Sequence, residues 1–440
     1  MKVAVIGSGI SGLACAWLLS EKHEITLFER ALKVGGHTNT VTVTTASGEQ
    51  AVDTGFIVYN ENNYPLLTAM FRELGVATRH SDMSFGVSIG DGAYEYAGDT
   101  LATLFLQASN LVSPKHWRML TEILRFNATT KRLLTRDALP AGSLSEFLDA
   151  HGFSRELSTR YLLPMAGAIW SCSTRQALSF PYADFARFFD AHGLLDVMNR
   201  PQWRSVAGGS QRYVDAILAR FGGKLRLGAA IEQVRRGEDA AWIASADGEE
   251  RFDAVVCASH ADQTLAMLTD ADDLERRVLG AIPYADNVAY LHTDETLLPK
   301  RRRAWSSWNY TAASDAISDD KIAVTYWMNR LQHIDGQTNY LVSLNPPRLP
   351  ADDKVLYRTV YEHPQFGAGS VAAQALLPTI QGKRRTWFCG AWTGYGFHED
   401  GLKSALRVAA AFGCKPSWIP DAVGDLHPAL GKLEPETAQA

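Results

Sequence analysis

The sequence predicts an α/β fold, with an inserted α+β domain interrupting a discontinuous, Rossmann-like dinucleotide-binding domain. Three observations predict it. A β-rich apolar run opens the chain and ends in Gly7-Ser8-Gly9-Ile10-Ser11-Gly12. Short apolar strands of the same kind return at Ala254 to Ala258 and at Thr386 to Cys389. The chain between these pieces is aromatic, helical in pattern at first and β-rich later. With 440 residues the chain exceeds the size at which one core stops growing, so two domains are expected. We assign 1–75, 205–265 and 380–414 to the dinucleotide domain, 76–204 and 266–379 to a substrate domain, and 415–440 to a loosely attached tail.

Lys2 to Ile6 reads as a fully buried parallel strand. Ile10 to Ser20 has helical apolar spacing, and Glu24 to Phe28 is a second strand, completing a βαβ start. The stretch from Asn60 to Arg204 reads as mostly helical. Strands follow at Lys224 to Leu227, Asn287 to His292, Ile322 to Met328 and Tyr340 to Leu344. A last helix spans Leu402 to Phe412, with Gly413 as its cap. Val3 to Leu19 has the outline of a secretory leader, but its three regularly placed glycines fit a phosphate loop better. No run of apolar residues is long enough to span a membrane.

The glycines have separate tasks. Gly7 permits a tight turn, Gly9 lets backbone approach a pyrophosphate, and Gly12 lets helix and strand pack closely. Ser8 and Ser11 lie in the same loop, where a helix N-terminus offers free N–H groups to phosphate. Glu29 ends the second strand, placed to accept from ribose hydroxyls. These features alone leave NAD and FAD open.

Val34-Gly35-Gly36-His37 follows, then Asp53-Thr54-Gly55-Phe56-Ile57. Far downstream lie Gly390-Ala391-Trp392 and Asp400-Gly401-Leu402-Lys403-Ser404-Ala405. With these pieces the chain resembles the flavin-containing amine oxidase superfamily over residues 1 to about 413. The resemblance implies FAD as cofactor and a two-domain, amine-oxidase-like architecture. It implies that Gly35 and Gly36 wrap the pyrophosphate and that the Asp53–Ile57 backbone passes the isoalloxazine. It places Ile231 at the adenine. It aims the helix starting near Asp400, with Gly401, Leu402 and Ala405, at the flavin pyrimidine, where a helix N-terminus stabilises negative charge. More narrowly, Gly36 to Thr40 and Gly396 to Leu402 resemble a bacterial branch of flavoproteins similar to lipid desaturases and isomerases.

This sequence departs from the family pattern at three points. His37 stands where the family has arginine, leaving Arg30 or Lys33 to pair the phosphates. Ala391 replaces an acid often found after the strand glycine. No lysine occurs between Ile282 and Pro299, and Ala289 occupies the best match to the family lysine near flavin N5. The last departure lowers the expectation of a fast amine oxidase.

His398, Tyr395 and Tyr59 are the candidate catalytic residues. His398 leads because an unperturbed imidazole titrates near neutrality. Trp170 to Ser173 is a further candidate for reaching the pocket. The aromatics of the inserted domain, including Phe185, Phe188 and Phe189 on one helical face, are read mainly as core and in part as an apolar pocket. We therefore expect an FAD-dependent oxidoreductase that removes a hydride from a small apolar or lipid-like substrate, with an unsaturated acyl chain as one such. The open alternatives are an amine oxidase, a redox-neutral double-bond isomerase and a non-enzymatic FAD-binding protein. The electron acceptor is left open. Lys+Arg 43 against Asp+Glu 48 gives a net charge of -5, which argues against nucleic acid. No histidine or cysteine pattern suggests a metal, and five scattered cysteines read as free thiols of a cytoplasmic protein. Lys300 to Arg303, beside Trp305 and Trp308, is compatible with peripheral contact at the inner membrane face.

Overall fold

Five short strands hydrogen-bond in parallel in the order Lys224–Arg226, Glu24–Phe28, Lys2–Ile6, Ala254–Cys257, Thr386–Phe388. The computed structural model describes residues 1–45, 48–196 and 200–419. The central strands are buried on both faces, which is why they read as unbroken Val/Ile/Ala runs rather than alternating ones. Helix Ile10–Leu19 lies on one face with every residue buried, against helices His398–Ala411 and Gln211–Arg220. The other face carries an antiparallel meander, Ile231–Arg236, Ala241–Ser245 and Gly248–Phe252.

A second sheet has seven strands in the order Val355–Pro364, Tyr284–His292, Leu341–Leu344, Ala323–Trp327, Trp308–Ala312, Phe85–Ile89, Tyr94–Ala97. It draws strands from both inserted pieces, joined where Trp308–Ala312 runs parallel to Phe85–Ile89. The hairpin Phe85–Ile89/Tyr94–Ala97 and the strand Thr78–Ser81 correct the mostly helical reading of 60–204. Gly90 and Gly92, both at positive φ, supply the hairpin's turn. From Pro114 onward that stretch is helical, around Phe126, Phe147, Trp170, Phe185, Phe188 and Phe189. The core of the parallel sheet extends past residue 265. Val278, Leu279, Ile282 and Leu377 pack with Ala4, Ile6 and Val255, because helix Asp273–Leu279 lies on that sheet.

Of the expected tail, Lys415 to Ile419 is described, and Trp418 stacks on Trp17 at 6.2 Å; 420–440 lies outside the described residues. All five cysteines are buried and unpaired. Among the described residues no helix is long and apolar enough to cross a membrane.

Asp53 ties distant pieces of chain together. Its fully buried carboxylate accepts from Thr40 Oγ1 (2.5 Å), Ser210 N (2.9 Å), Ser210 Oγ (2.8 Å) and Gln332 Nε2 (2.8 Å). Its own backbone N–H donates to Gln332 Oε1 at 2.9 Å. Asp53→Ala would leave these donors buried and unpaired. It is expected to lower unfolding free energy by roughly 3 kcal/mol in denaturant titration, against a smaller loss for Asp53→Asn.

Candidate functional site

The site is built where strands Lys2–Ile6 and Thr386–Phe388 end and two helices begin. A side chain on Gly12 would overlap the Gly7 carbonyl, so helix Ile10–Leu19 can start this close to its strand only with glycine there. A Cβ on Gly401 would lie 2.8 Å from Ser11 Oγ and 2.9 Å from Ile10 Cγ2, so the second helix meets the first through a bare backbone. Leu402 and Ala405 are buried in that contact. The Gly390 N–H donates to Ser404 Oγ at 2.9 Å, fixing the end of the last strand to the same helix. Ala391 accepts from the N–H groups of Gly394 and Gly396, both at 3.1 Å, closing the turn that follows.

Gly35 donates to the Ser8 carbonyl at 3.0 Å, and a Cβ on Gly36 would lie 3.1 Å from Gly9 Cα. The Gly-Gly pair therefore folds over the phosphate loop. Glu29 accepts from Ser8 N (2.9 Å), Ser8 Oγ (2.6 Å) and Ala31 N (2.8 Å). Arg30 is exposed, 3.5 Å from Glu362, and Lys33 bonds the Asn39 side chain. Ile231 opens the meander, where its pairing is bulged.

Two observations fit a dinucleotide here. Nothing stands within 4 Å of where a Gly9 Cβ would be, so that backbone faces open space. His37 Nε2 is buried without a partner beside Gly36, while its ring is bonded to the Glu362 backbone. Gly9, Gly35, Gly36 and His37 would hold the pyrophosphate, and Glu29 the ribose.

His37 belongs to a group that the sequence did not reveal. Its ring centroid is 5.2 Å from His363, 5.1 Å from Tyr361 and 6.4 Å from His260. His260 stacks on Tyr284 at 4.3 Å, and His363 Nδ1 accepts from Asn287 Nδ2 at 3.1 Å. Burial, then the neighbouring histidines, holds His37 well below the usual imidazole range. Among the described residues no group of His, Cys, Asp or Glu side chains could hold a metal ion.

His398 stacks on Phe56 at 3.8 Å, and its Nε2 lies 3.1 Å from Thr38 Oγ1 and 3.2 Å from Tyr213 OH. Burial lowers its pKa to about 3, so the ring is neutral at physiological pH and does not have the near-neutral titration of a free imidazole. Tyr395 sits nearby, edge-on to Phe188 at 5.7 Å. Tyr59 is packed in the core, 5.3 Å from Phe71, which itself contacts Tyr213. Gly55 presses on the His37 carbonyl, and the Phe56 N–H donates to it at 2.8 Å. Ile57 is buried with the seven-stranded sheet.

The carboxyls around the site are already engaged. Asp400 accepts from Tyr395 N and Phe397 N, both at 3.0 Å. Glu399 accepts from Leu66 N and Leu67 N, both at 2.9 Å, capping helix Pro65–Leu74. Burial raises Asp400 to about 6 and Glu399 to about 7.

The comparisons with known proteins agree with this geometry. A model of the family "Flavin containing amine oxidoreductase" matches residues 10–305, and the chain belongs to that family. Its cofactor is FAD, and the chain is an FAD-dependent oxidoreductase. A relative from Mycobacterium tuberculosis (strain ATCC 25618 / H37Rv), named "Putative flavin-containing monoamine oxidase AofH", is 27% identical over 350 residues, covering 76% of this chain and 72% of the relative. The fold is similar to that of a CLA-producing fatty acid isomerase from P. acnes, with TM-score 0.67, 14% identity, 93% of this chain and 98% of the other. It is also similar to putrescine oxidase bound to putrescine, with TM-score 0.65, 16% identity, 94% of this chain and 100% of the other.

Because burial holds His398 neutral, the unfolded chain takes up a proton as pH falls below 6.5 while the folded chain does not until about 3. The stability this contributes is complete above 6.5 and is lost as pH falls through that window. The denaturant midpoint of the wild type is expected to fall between about pH 7 and about pH 5, and to fall less in His398→Gln. An equal fall in both would show that His398 does not carry the effect.

Proposed function

We propose that this chain removes a hydride from a neutral, apolar substrate, and that an unsaturated fatty acyl chain is the form it accepts. The observation that carries this reading is a cavity of about 300 Å³ with no charged residue in its lining. Trp170, Phe180, Pro283 and Phe366 make its apolar walls, with Cys172 and Gln365 among the polar ones. Burying an ammonium there would leave it without a carboxylate partner. The neighbouring carboxyls Glu399 and Asp400 are tied to backbone N–H groups.

The cavity adjoins the turn before His398. Phe366 Cε2 lies 3.1 Å from where a Gly396 Cβ would stand. Trp170 packs on Phe188 at 4.7 Å, and Phe188 on Phe397 at 5.3 Å. Trp170 Nε1 is buried without a partner. Its N–H would donate to a carbonyl or carboxylate oxygen of the ligand, while the apolar walls exclude water. FAD, when bound, would supply the hydride acceptor, and the proton lost from the adjacent carbon as the new double bond forms would pass to water at the mouth of the cavity. His398, held by Thr38 and Tyr213, is neutral and brings no charge to the neighbourhood.

A second reading is favoured by the fold shared with a fatty acid isomerase, in which the hydride returns to the same molecule and the double bond moves. Anaerobic mixing with oleic or linoleic acid is expected to bleach the flavin, while putrescine and benzylamine leave it yellow. Bleaching by the amines alone would overturn the neutral-substrate reading. Turnover of linoleic acid to shifted isomers without net bleaching would select the second. Trp170→Phe keeps the ring and removes the donor. It is expected to raise KM for the fatty acid roughly three- to tenfold with kcat little changed.

A further inference from the structure

The inserted domain leaves a set of large apolar side chains in water at one place. Leu101 is 76% exposed, Leu111 53%, Val112 81% and Trp117 48%. They lie on the short helices Leu101–Leu104 and Ala108–Leu111, on the turn after them, and on the first turns of helix Pro114–Thr135. The turn is rigid. Trp117 Nε1 donates to the Leu111 carbonyl at 2.8 Å, and the Trp117 ring packs on Phe105 at 4.9 Å. Scattered exposed apolar residues need no explanation, but Leu111, Val112 and Trp117 joined through one turn, with Leu101 one helical turn before Phe105, do.

No Asp or Glu occurs between Asp99 and Glu122, whereas Lys115 and Arg118 do, and each of these pairs with a carboxylate at the border of the patch, Glu156 at 3.9 Å and Glu122 at 3.4 Å. The basic run at Lys300 to Arg303 is fastened to the same place through Glu95. That carboxylate accepts from Lys300 N (2.7 Å), Arg301 N (3.2 Å) and Arg301 Nη1 (2.8 Å). The Glu95 backbone in turn bonds Gln107 (2.7 Å) and Asn110 (3.0 Å) of the second short helix. Lys300 and Arg301 are spent on Asp91 and Glu95. Arg302 and Arg303 are exposed, with no carboxylate partner among the described residues, and Arg302 lies 5.1 Å from the Trp305 ring centroid.

From this arrangement we infer that Leu101, Leu111, Val112 and Trp117 insert into the surface of an anionic phospholipid bilayer, with Arg302 and Arg303 against its headgroups. Apolar side chains raised on helix ends, beside two exposed arginines that have no carboxylate partner among the described residues, complement an apolar layer behind a negative surface. The proposal is independent of the substrate reading, because its test follows binding and not turnover.

The test is co-sedimentation of the FAD-loaded full chain with vesicles of equimolar phosphatidylcholine and phosphatidylglycerol, against vesicles of phosphatidylcholine alone. Partition onto the anionic vesicles is expected to be roughly tenfold higher or more, and to fall as sodium chloride is added. Leu101→Ser/Leu111→Ser/Val112→Ser changes only exposed side chains, so bound flavin and thermal midpoint should match the wild type while partition falls roughly tenfold. Arg302→Glu/Arg303→Glu should remove the preference for anionic vesicles, and it serves alone if the serine variant does not fold. Wild-type protein left in the supernatant with both vesicle types would overturn the proposal. So would variants that sediment as the wild type does, or a wild-type dimer that the serine variant abolishes.

Discussion

The structure depends on one close approach. Helix His398–Ala411 meets helix Ile10–Leu19 at Gly401, where any side chain would run into Ser11 and Ile10. One helix begins four residues after its strand and the other follows a tight turn from Gly390, and because the strands are parallel the last strand and the first both end at the same end of the sheet. Nearly four hundred residues separate the two glycine segments, yet their helix N-termini converge. Two converging N-termini concentrate unpaired N–H groups and partial positive charge, which suits a cofactor carrying phosphates at one end and a ring that gathers charge on reduction at the other.

That constraint decides how the other residues are used. Asp53, at the end of strand Gly48–Asp53, fastens the turn at Ser210 and helix Met328–Gln332 together, so the helix that follows strand Ala323–Trp327 of the seven-stranded sheet is tied to the segment after the Gly-Gly pair through a buried carboxylate. Asp400 closes the turn before the second helix, and Glu399 caps helix Pro65–Leu74. With its carboxyls engaged and its histidines held neutral, the interior is poor in mobile charge. The apolar cavity beside Trp170 belongs to the same economy of charge.

The cofactor half was legible because its signals are local. Gly7, Gly9 and Gly12 are set by one turn, and Gly401 by one helix contact, so each leaves its mark within a few residues of sequence. The His37, His260 and His363 group was not legible. Its members come from a loop, the end of a parallel strand and the end of an antiparallel one, and only long-range packing brings them together. Tyr213 escaped for the same reason, being one buried tyrosine on an amphipathic helix until the fold sets it against His398. The Phe85–Ile89/Tyr94–Ala97 hairpin was masked by the helical pattern that follows it, although Gly90 and Gly92 mark its turn. For His398 the residue type was readable, but its protonation was not. Burial against Phe56 moved it, and burial is a property of the fold.

The central claim is that two helices touching through Gly401 make the FAD site. The most direct test is titration of apo-protein with FAD, followed by flavin fluorescence, in the wild type and in Gly401→Val. The account predicts a Gly401→Val protein with the wild-type circular dichroism spectrum and FAD affinity weakened roughly a hundredfold or more, as expected when a clash forces the helix ends apart. A folded Gly401→Val that binds FAD as tightly as the wild type would contradict it.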